Sequence, residues 1–180
     1  MAKSKKTYIY VDGYNIINSW HELIEIKNTS LEEAREKLID EMAEYKALSQ
    51  KEVVLVFDAY NSDALKEKFV KKLGITIVYT KKFQTADTFI EKEMNRLARR
   101  ENVEVCTGDA QVQSIAFERG AARITSFELK SELSSKREKI KRTINKSFEK
   151  NYTDFPVSED FVKALNKIEK KINKKNGKIK

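Results

Sequence analysis

Cysteine and histidine occur once each in the 180 residues, as Cys106 and His21. One thiol excludes an intramolecular disulfide and a thiolate metal cage, and one imidazole excludes a histidine triad or a multi-histidine zinc site. Cys106 ends an apolar run and reads as a buried free thiol; His21 reads as a surface residue. No apolar stretch approaches the roughly 20 residues of a membrane span. The opening Met1-Ala2-Lys3-Ser4-Lys5-Lys6 has no apolar leader, so the expectation is a cytoplasmic protein without a membrane partner. The five glycines include no phosphate-binding loop of the Walker or dinucleotide type, which disfavours nucleotide-driven and redox chemistry. No internal repeat is visible.

What is present is charge, unevenly placed. The net charge is +8, yet residues 130–180 hold 16 Lys+Arg against 7 Asp+Glu, leaving 20 against 21 in residues 1–129. All the excess positive charge is C-terminal. A near-neutral body with a basic helical tail suits a protein that attracts a polyanion, although a Lys-rich helix is also a common solubilising face. With 40% hydrophobic residues the length supports one domain and an appendage, read as residues 1–126 and 127–180.

Apolar runs at Thr7–Val11, Val53–Phe57, Ile75–Tyr79 and Val103–Cys106 read as buried strands, with a short one at 122–124. Between them, Ser30-Leu31-Glu32-Glu33 opens a helix to Ser49 as a capping box. The pattern further predicts a short helix from Asp63 to Leu73 closed by Gly74, one from Ala86 to Arg100, and one from Asp109 to Arg119 ended by Gly120. Strands alternating with helices imply an α/β fold with a parallel sheet flanked by helices. From Phe127 a long basic helix is expected, then a break at Phe155-Pro156 and a last helix capped by Ser158.

Four aspartates stand at or just beyond strand ends: Asp12, Asp58, Asp87 and Asp109. In an open parallel sheet the carboxyl ends of the strands share one crevice, so these side chains are expected to meet. Crowded carboxylates raise one another's pKa or acquire a cation, and an all-oxygen set suits Mg²⁺ or Mn²⁺. Asn15, three residues after Asp12, adds an amide, and Glu91, one helical turn after Asp87, a further candidate ligand. Each also has a bland reading: Asp12-Gly13 as a turn, Asp87 as a helix-dipole partner, Asp109 as a cap, Asp58 as part of a polar loop. Lys81 and Lys82 are either phosphate contacts or a solvated loop, and Tyr14 and Trp20 either stack on a base or pack.

Tyr10-Val11-Asp12-Gly13-Tyr14-Asn15 resembles the N-terminal signature of NYN-domain ribonucleases, relatives of PIN-domain nucleases. Val56-Phe57-Asp58-Ala59, Tyr79-Thr80-Lys81, Thr85-Ala86-Asp87 through Ile90-Glu91-Lys92, and Thr107-Gly108-Asp109 are similar to the YacP-like bacterial branch, over about residues 7–150. The resemblance implies a PIN-like fold and a divalent-metal endoribonuclease, with Asp12, Asp87 and Asp109 as the acidic cluster and Asn15 beside them. It also implies association with the ribosome and cutting of mRNA in the A site. Phosphate contacts are then expected from Lys136, Arg137, Lys139, Lys141 and Arg142. Gln111 stands where many NYN proteins carry a second aspartate, which speaks against a fully occupied two-metal site. The rival readings are a non-catalytic RNA- or ribosome-binding module and a nuclease maturing structured RNA.

Overall fold

The computed structural model describes residues 5–58, 64–98, 100–109, 113, 114, 116 and 118–153, with side chains as far as residue 145. Residues 1–137 and 138–180 form two compact units. In the first, β1 (Thr7–Asp12), β2 (Glu52–Phe57), β3 (Lys68–Lys72), β4 (Ile75–Tyr79), β5 (Asn102–Cys106) and β6 (Ala122–Ile124) build one sheet in the order β3-β4-β2-β1-β5-β6. All neighbours are parallel except β3 against β4. The helices are α1 (Gly13–Ser19), α2 (His21–Thr29), α3 (Leu31–Ser49), α4 (Ala86–Leu97) and α5 (Ser126–Thr153).

Successive strand residues point to opposite faces, and the core divides accordingly. Ile9, Val11, Val53, Leu55, Phe57 and Ile77 pack with α1, α2, α3 and with Leu129 and Leu133 of α5. Tyr10, Val54, Val56, Val78, Val103 and Val105 pack with Phe89, Ile90 and Met94 of α4. Central β1 is thus buried on both sides, as a continuous apolar run requires in a parallel sheet.

Two expectations change. The segment expected to be a helix between Asp63 and Leu73 is, in its described part, an edge strand. Leu73 (φ 49°) and Gly74 (φ 82°) form a two-residue connection with both φ positive, and Lys72 faces Ile75 across it. That is the geometry of a hairpin turn, so Gly74 serves a hairpin and not a helix end. Second, Gly13 opens α1 where a simple turn was expected, and α2 follows after Trp20; neither helix was anticipated. Of the two readings of Trp20 the structure selects packing: it is 3% exposed and donates from Nε1 to the Ser126 carbonyl at 3.0 Å. His21 lies on the surface beside Glu25. The helix expected from Asp109 is described only in part, with Gln113 N–H bonded to the Asp109 carbonyl at 3.1 Å. Phe155-Pro156 and the helix expected after Ser158 lie outside the described residues.

Arg137 is a structural cross-link. Its guanidinium reaches Glu44 at 2.5 Å and Glu41 at 2.6 Å on α3, and these carboxylates hold its pKa above the ordinary arginine value. Replacement by Gln is expected to lower stability by about 0.5–1 kcal/mol at low salt, the exposed end of the range for paired charges. Urea denaturation with and without 0.5 M salt, roughly five times the ionic strength at which screening already reaches 10 Å, should show the difference shrinking.

Candidate active site

The carboxyl ends of β1, β2 and β5 and the N-terminus of α4 meet at one rim, where hydrogen bonds hold the carboxylates of Asp12, Asp58 and Asp87 and the backbone of Asp109. Asp12 ends β1 and caps α1, accepting the Asn15 N–H at 3.0 Å. Asp58 follows β2 and accepts the Ala86 N–H, tying that strand end to the start of α4. Asp87, in the first turn of α4, accepts from the Thr107 hydroxyl at 3.1 Å. The same Thr107 oxygen accepts the Asp109 N–H at 3.2 Å, while the Thr107 carbonyl accepts from Gln113 Nε2 at 2.7 Å. Buried Thr107 therefore links Asp87 to Asp109.

The electrostatics reflect the convergence. Burial pushes Asp12 from the ordinary 3.8 up to about 6; the backbone N–H groups of Asn15 and Tyr14 oppose this, and the charges of Asp87 and Asp58 add to it. Asp87 is raised by burial and by Asp109 and Asp58, against the Thr107 hydrogen bond. Asp58 is raised by burial, against its bond to Ala86. Adjacent Cys106 is fully buried, and its thiol is pushed up to about 12 by burial and by the Asp12 charge.

Asp12 and Asp87 thus each feel the charge of neighbouring aspartates, and the donor chemistry of the set fits a hard divalent cation. Among the described residues no three of His, Cys, Asp and Glu form a ready-made metal cage. An ion at this rim would complete its shell with water and phosphate oxygens. Glu91 lies one turn further along α4 and is not among the carboxylates that raise Asp87. Gln111 lies outside the described residues.

Asn15 sits against Gly108: a methyl there would stand 3.1 Å from Asn15 Cγ and nearer still to Nδ2. The close approach at Gly108 is thus filled by the Asn15 amide, packed where the ends of β1 and β5 adjoin. Thr107 went unrecognised as a positioning residue; its place between a strand end and Gly-Asp was the available signal. Lys81 and Lys82 are exposed on the loop leaving β4, where Lys82 Nζ lies 5.4 Å from the ring of Phe83, itself 97% exposed. Tyr14 packs edge-on to Phe57 at 5.3 Å. Lys136 pairs with Glu132 at 3.4 Å, and Arg137 with α3 as above. In the second unit Arg142 pairs with Glu138 at 2.8 Å, while Lys139 and Lys141 are exposed.

A parallel sheet with carboxylates gathered at its strand ends defines a class, and the sequence agrees: residues 9–172 match the YacP-like NYN domain, and the chain belongs to that family. This places it with nuclease-type, RNA-related proteins of PIN-like fold. The match continues past Asn151, beyond the span visible from sequence motifs. The chain is 35% identical to the protein YacP of Bacillus subtilis (strain 168) over 163 residues, covering 88% of this chain and 94% of that protein. It is similar to the crystal structure of Rae1 (YacP) from Bacillus subtilis, with TM-score 0.64, 34% identity, and coverage of 91% and 94% of the two chains. With the crystal structure of a point mutant of Rae1 the TM-score is 0.66 at 32% identity, covering 87% and 91%. No helix among the described residues is long and apolar enough to cross a membrane.

Proposed function

We propose that this protein is a divalent-metal-dependent endoribonuclease that hydrolyses RNA phosphodiester bonds, acting in the cytoplasm on mRNA at the ribosome. The gathering of Asp12, Asp58, Asp87 and Asp109 at one sheet rim, where Asp12 and Asp87 feel neighbouring carboxylate charge, carries this reading, because such an arrangement costs stability and serves a cation. Asp12, Asp87 and Asp109 would hold Mg²⁺ or Mn²⁺. When bound, the ion supplies charge neutralisation at the phosphoryl oxygens and an activated water. Thr107 orients Asp87 and, through the Asp109 N–H, the chain bearing Asp109; the Asn15 amide offers its donor beside them. The near-neutral body attracts RNA weakly, so a partner surface is needed to position the cut, and the ribosome fits that role.

Asp87→Asn is expected to reduce cleavage of ribosome-bound mRNA at least about 100-fold in Mg²⁺ buffer, with RNA association retained. Mapping of 5′ ends on ribosome-bound and naked transcripts at equal RNA, metal and salt provides the check. Undiminished cleavage would remove the catalytic assignment, and equal rates at the same positions on both substrates would remove the ribosome. Gly108→Ala should act more mildly, displacing the Asn15 amide and slowing cleavage about tenfold with little change in the melting temperature, as for a misplaced contributing group. The lack of a preformed three-ligand cage among the described residues favours, as a second reading, a non-catalytic RNA-binding module. Cleavage that requires Asp87 excludes it.

Replacing exposed Lys139 and Lys141 by Gln is expected to flatten the salt dependence of single-strand RNA binding, lowering the log-log slope by roughly 0.7 for each phosphate no longer neutralised. An unchanged slope returns these lysines to a solubilising role.

A further inference from the structure

On the face of β3 and β4 that looks toward α3, the sheet extends beyond the helix that covers its centre. The result is a cleft of about 700 Å³, within the roughly 300–1,000 Å³ of ordinary ligand sites. Its floor alternates strictly: Lys68 and Val70 of β3 stand opposite Tyr79 and Ile77 of β4. Its inner wall is Arg35 of α3, whose Nη2 is held by Glu32 at 2.8 Å and whose Nε is buried without a hydrogen-bond partner. One end opens at Tyr14 and Asp58, so the cleft is continuous with the acidic rim.

The cations lining this cleft are not equally occupied. Lys72 is paired with Glu36, and Arg35 with Glu32. Lys66 and Lys68 are exposed and have no ion-pair partner among the described residues. Lysines on an edge strand are often guards against strand-to-strand aggregation. That accounts equally for Lys71, which points to the opposite face, and it leaves unexplained why the cationic cleft runs to Asp58.

We propose that the cleft is a subsite for one nucleotide of the RNA strand adjacent to the cut, with its phosphate on Lys66 and Lys68 and its sugar and base against the apolar floor. The subsite deepens, and rests on, the endoribonuclease reading of the rim. Its chemistry suits a flexible single strand: compact ammonium groups bind a phosphate without regard to sequence, and an aromatic-aliphatic floor accepts any base. An RNA duplex, with its bases stacked inside, cannot lay one nucleotide in such a cleft.

The test is fluorescence anisotropy of a labelled single-stranded hexaribonucleotide titrated with full-length protein in EDTA, which separates the subsite from cation bridging at the rim. Lys66→Gln combined with Lys68→Gln is expected to weaken binding about tenfold and to lower the log-log salt slope by roughly 0.7 for each phosphate released. Lys71→Gln, with the same charge change on the same strand, should stay within about twofold of wild type. Equal weakening in Lys71→Gln, unchanged affinity in the double variant, aggregation as its sole defect, or no measurable binding by the wild type would each overturn the subsite. Cleavage of ribosome-bound mRNA by the wild type in Mg²⁺ is scored separately. Binding that follows Lys66 and Lys68 without any cleavage would uphold the subsite and defeat the endoribonuclease reading, whereas Asp87-dependent cleavage with lysine-independent binding would do the reverse.

Discussion

Asp12→Asn is expected to abolish cleavage and, in metal-free buffer at neutral pH, to raise the melting temperature. The two effects have one origin. Burial and the charges of Asp87 and Asp58 hold the folded-state pKa of Asp12 near 6, above the ordinary 3.8. A carboxyl whose pKa is raised on folding destabilises the fold when ionised. The penalty is absent below about pH 4, grows as pH climbs through the interval to 6, and is complete above it. Two pKa units correspond to roughly 3 kcal/mol, of which partial exposure and relaxation leave about 1–2 kcal/mol to be recovered by the isosteric amide. Asn can still cap α1, so the helix start is not lost. The wild type should therefore lose stability between pH 4.5 and 7 relative to the variant. At about 2–4 °C per kcal/mol for a chain of this size, thermal melts across that range resolve the difference. Added Mg²⁺ should narrow the gap by stabilising the wild type alone. A variant that melts below the wild type at pH 7 would show that the carboxylate contributes to the fold and is not held there against its electrostatics.

Gly13→Ala is expected to cost about 3 kcal/mol or more, the upper range for an overpacked core. Local helix propensity has the opposite sign, since Gly is about 1 kcal/mol poorer than Ala within a helix. The deciding fact is Phe57. A methyl on Gly13 would stand 2.6 Å from Cδ1 and 2.9 Å from Cζ of its ring. The ring is fully buried, with Tyr14 at 5.3 Å and Tyr79 stacked at 5.8 Å, so it has nowhere to retreat. Denaturant titration checks the sign. Phe57→Leu should recover part of the loss when combined with Gly13→Ala, giving a favourable coupling in the double-mutant cycle. Simple additivity would locate the requirement for glycine in the backbone instead.

The parallel core was legible because buried strands are continuous runs of Val, Ile, Leu and aromatics, and because the carboxylates stand directly after them. The β3–β4 hairpin was not. Asp63–Leu73 is polar and lysine-rich, and Gly74 closes a helix and turns a hairpin equally well. Only the positive φ of Leu73 separates the two, and that is a tertiary outcome of pairing with β4. Helices α1 and α2 were hidden because Gly13, Asn15, Asn18 and Ser19 weaken helix propensity, and burial of Ile16, Ile17 and Leu23 supplies what propensity lacks. At the rim, the positions of the aspartates at strand ends could be read from the sequence, but not their supports. The hydroxyl bond of Thr107 and the packing of Asn15 against Gly108 bring together segments about twenty and ninety residues apart, and no local pattern announces such contacts. Arg137 looked like one more basic residue of the tail until its carboxylate partners on α3 were visible.

Cys106 makes the protein its own unfolding reporter. Its sulfur lies at the end of β5, paired to central β1 through Val11, with no accessible surface and a thiol pushed up to about 12. A maleimide or aromatic disulfide reagent, which requires the thiolate, can reach it only when the middle of the sheet comes apart. The rate of labelling in native buffer then measures the population of the open sheet, one covalent event per molecule, with no competing thiol elsewhere in the chain. Because the neighbouring Asp12 is the residue whose charge strains that part of the fold, a cation that relieves the strain should be registered as slower alkylation, even under conditions where nothing is cut.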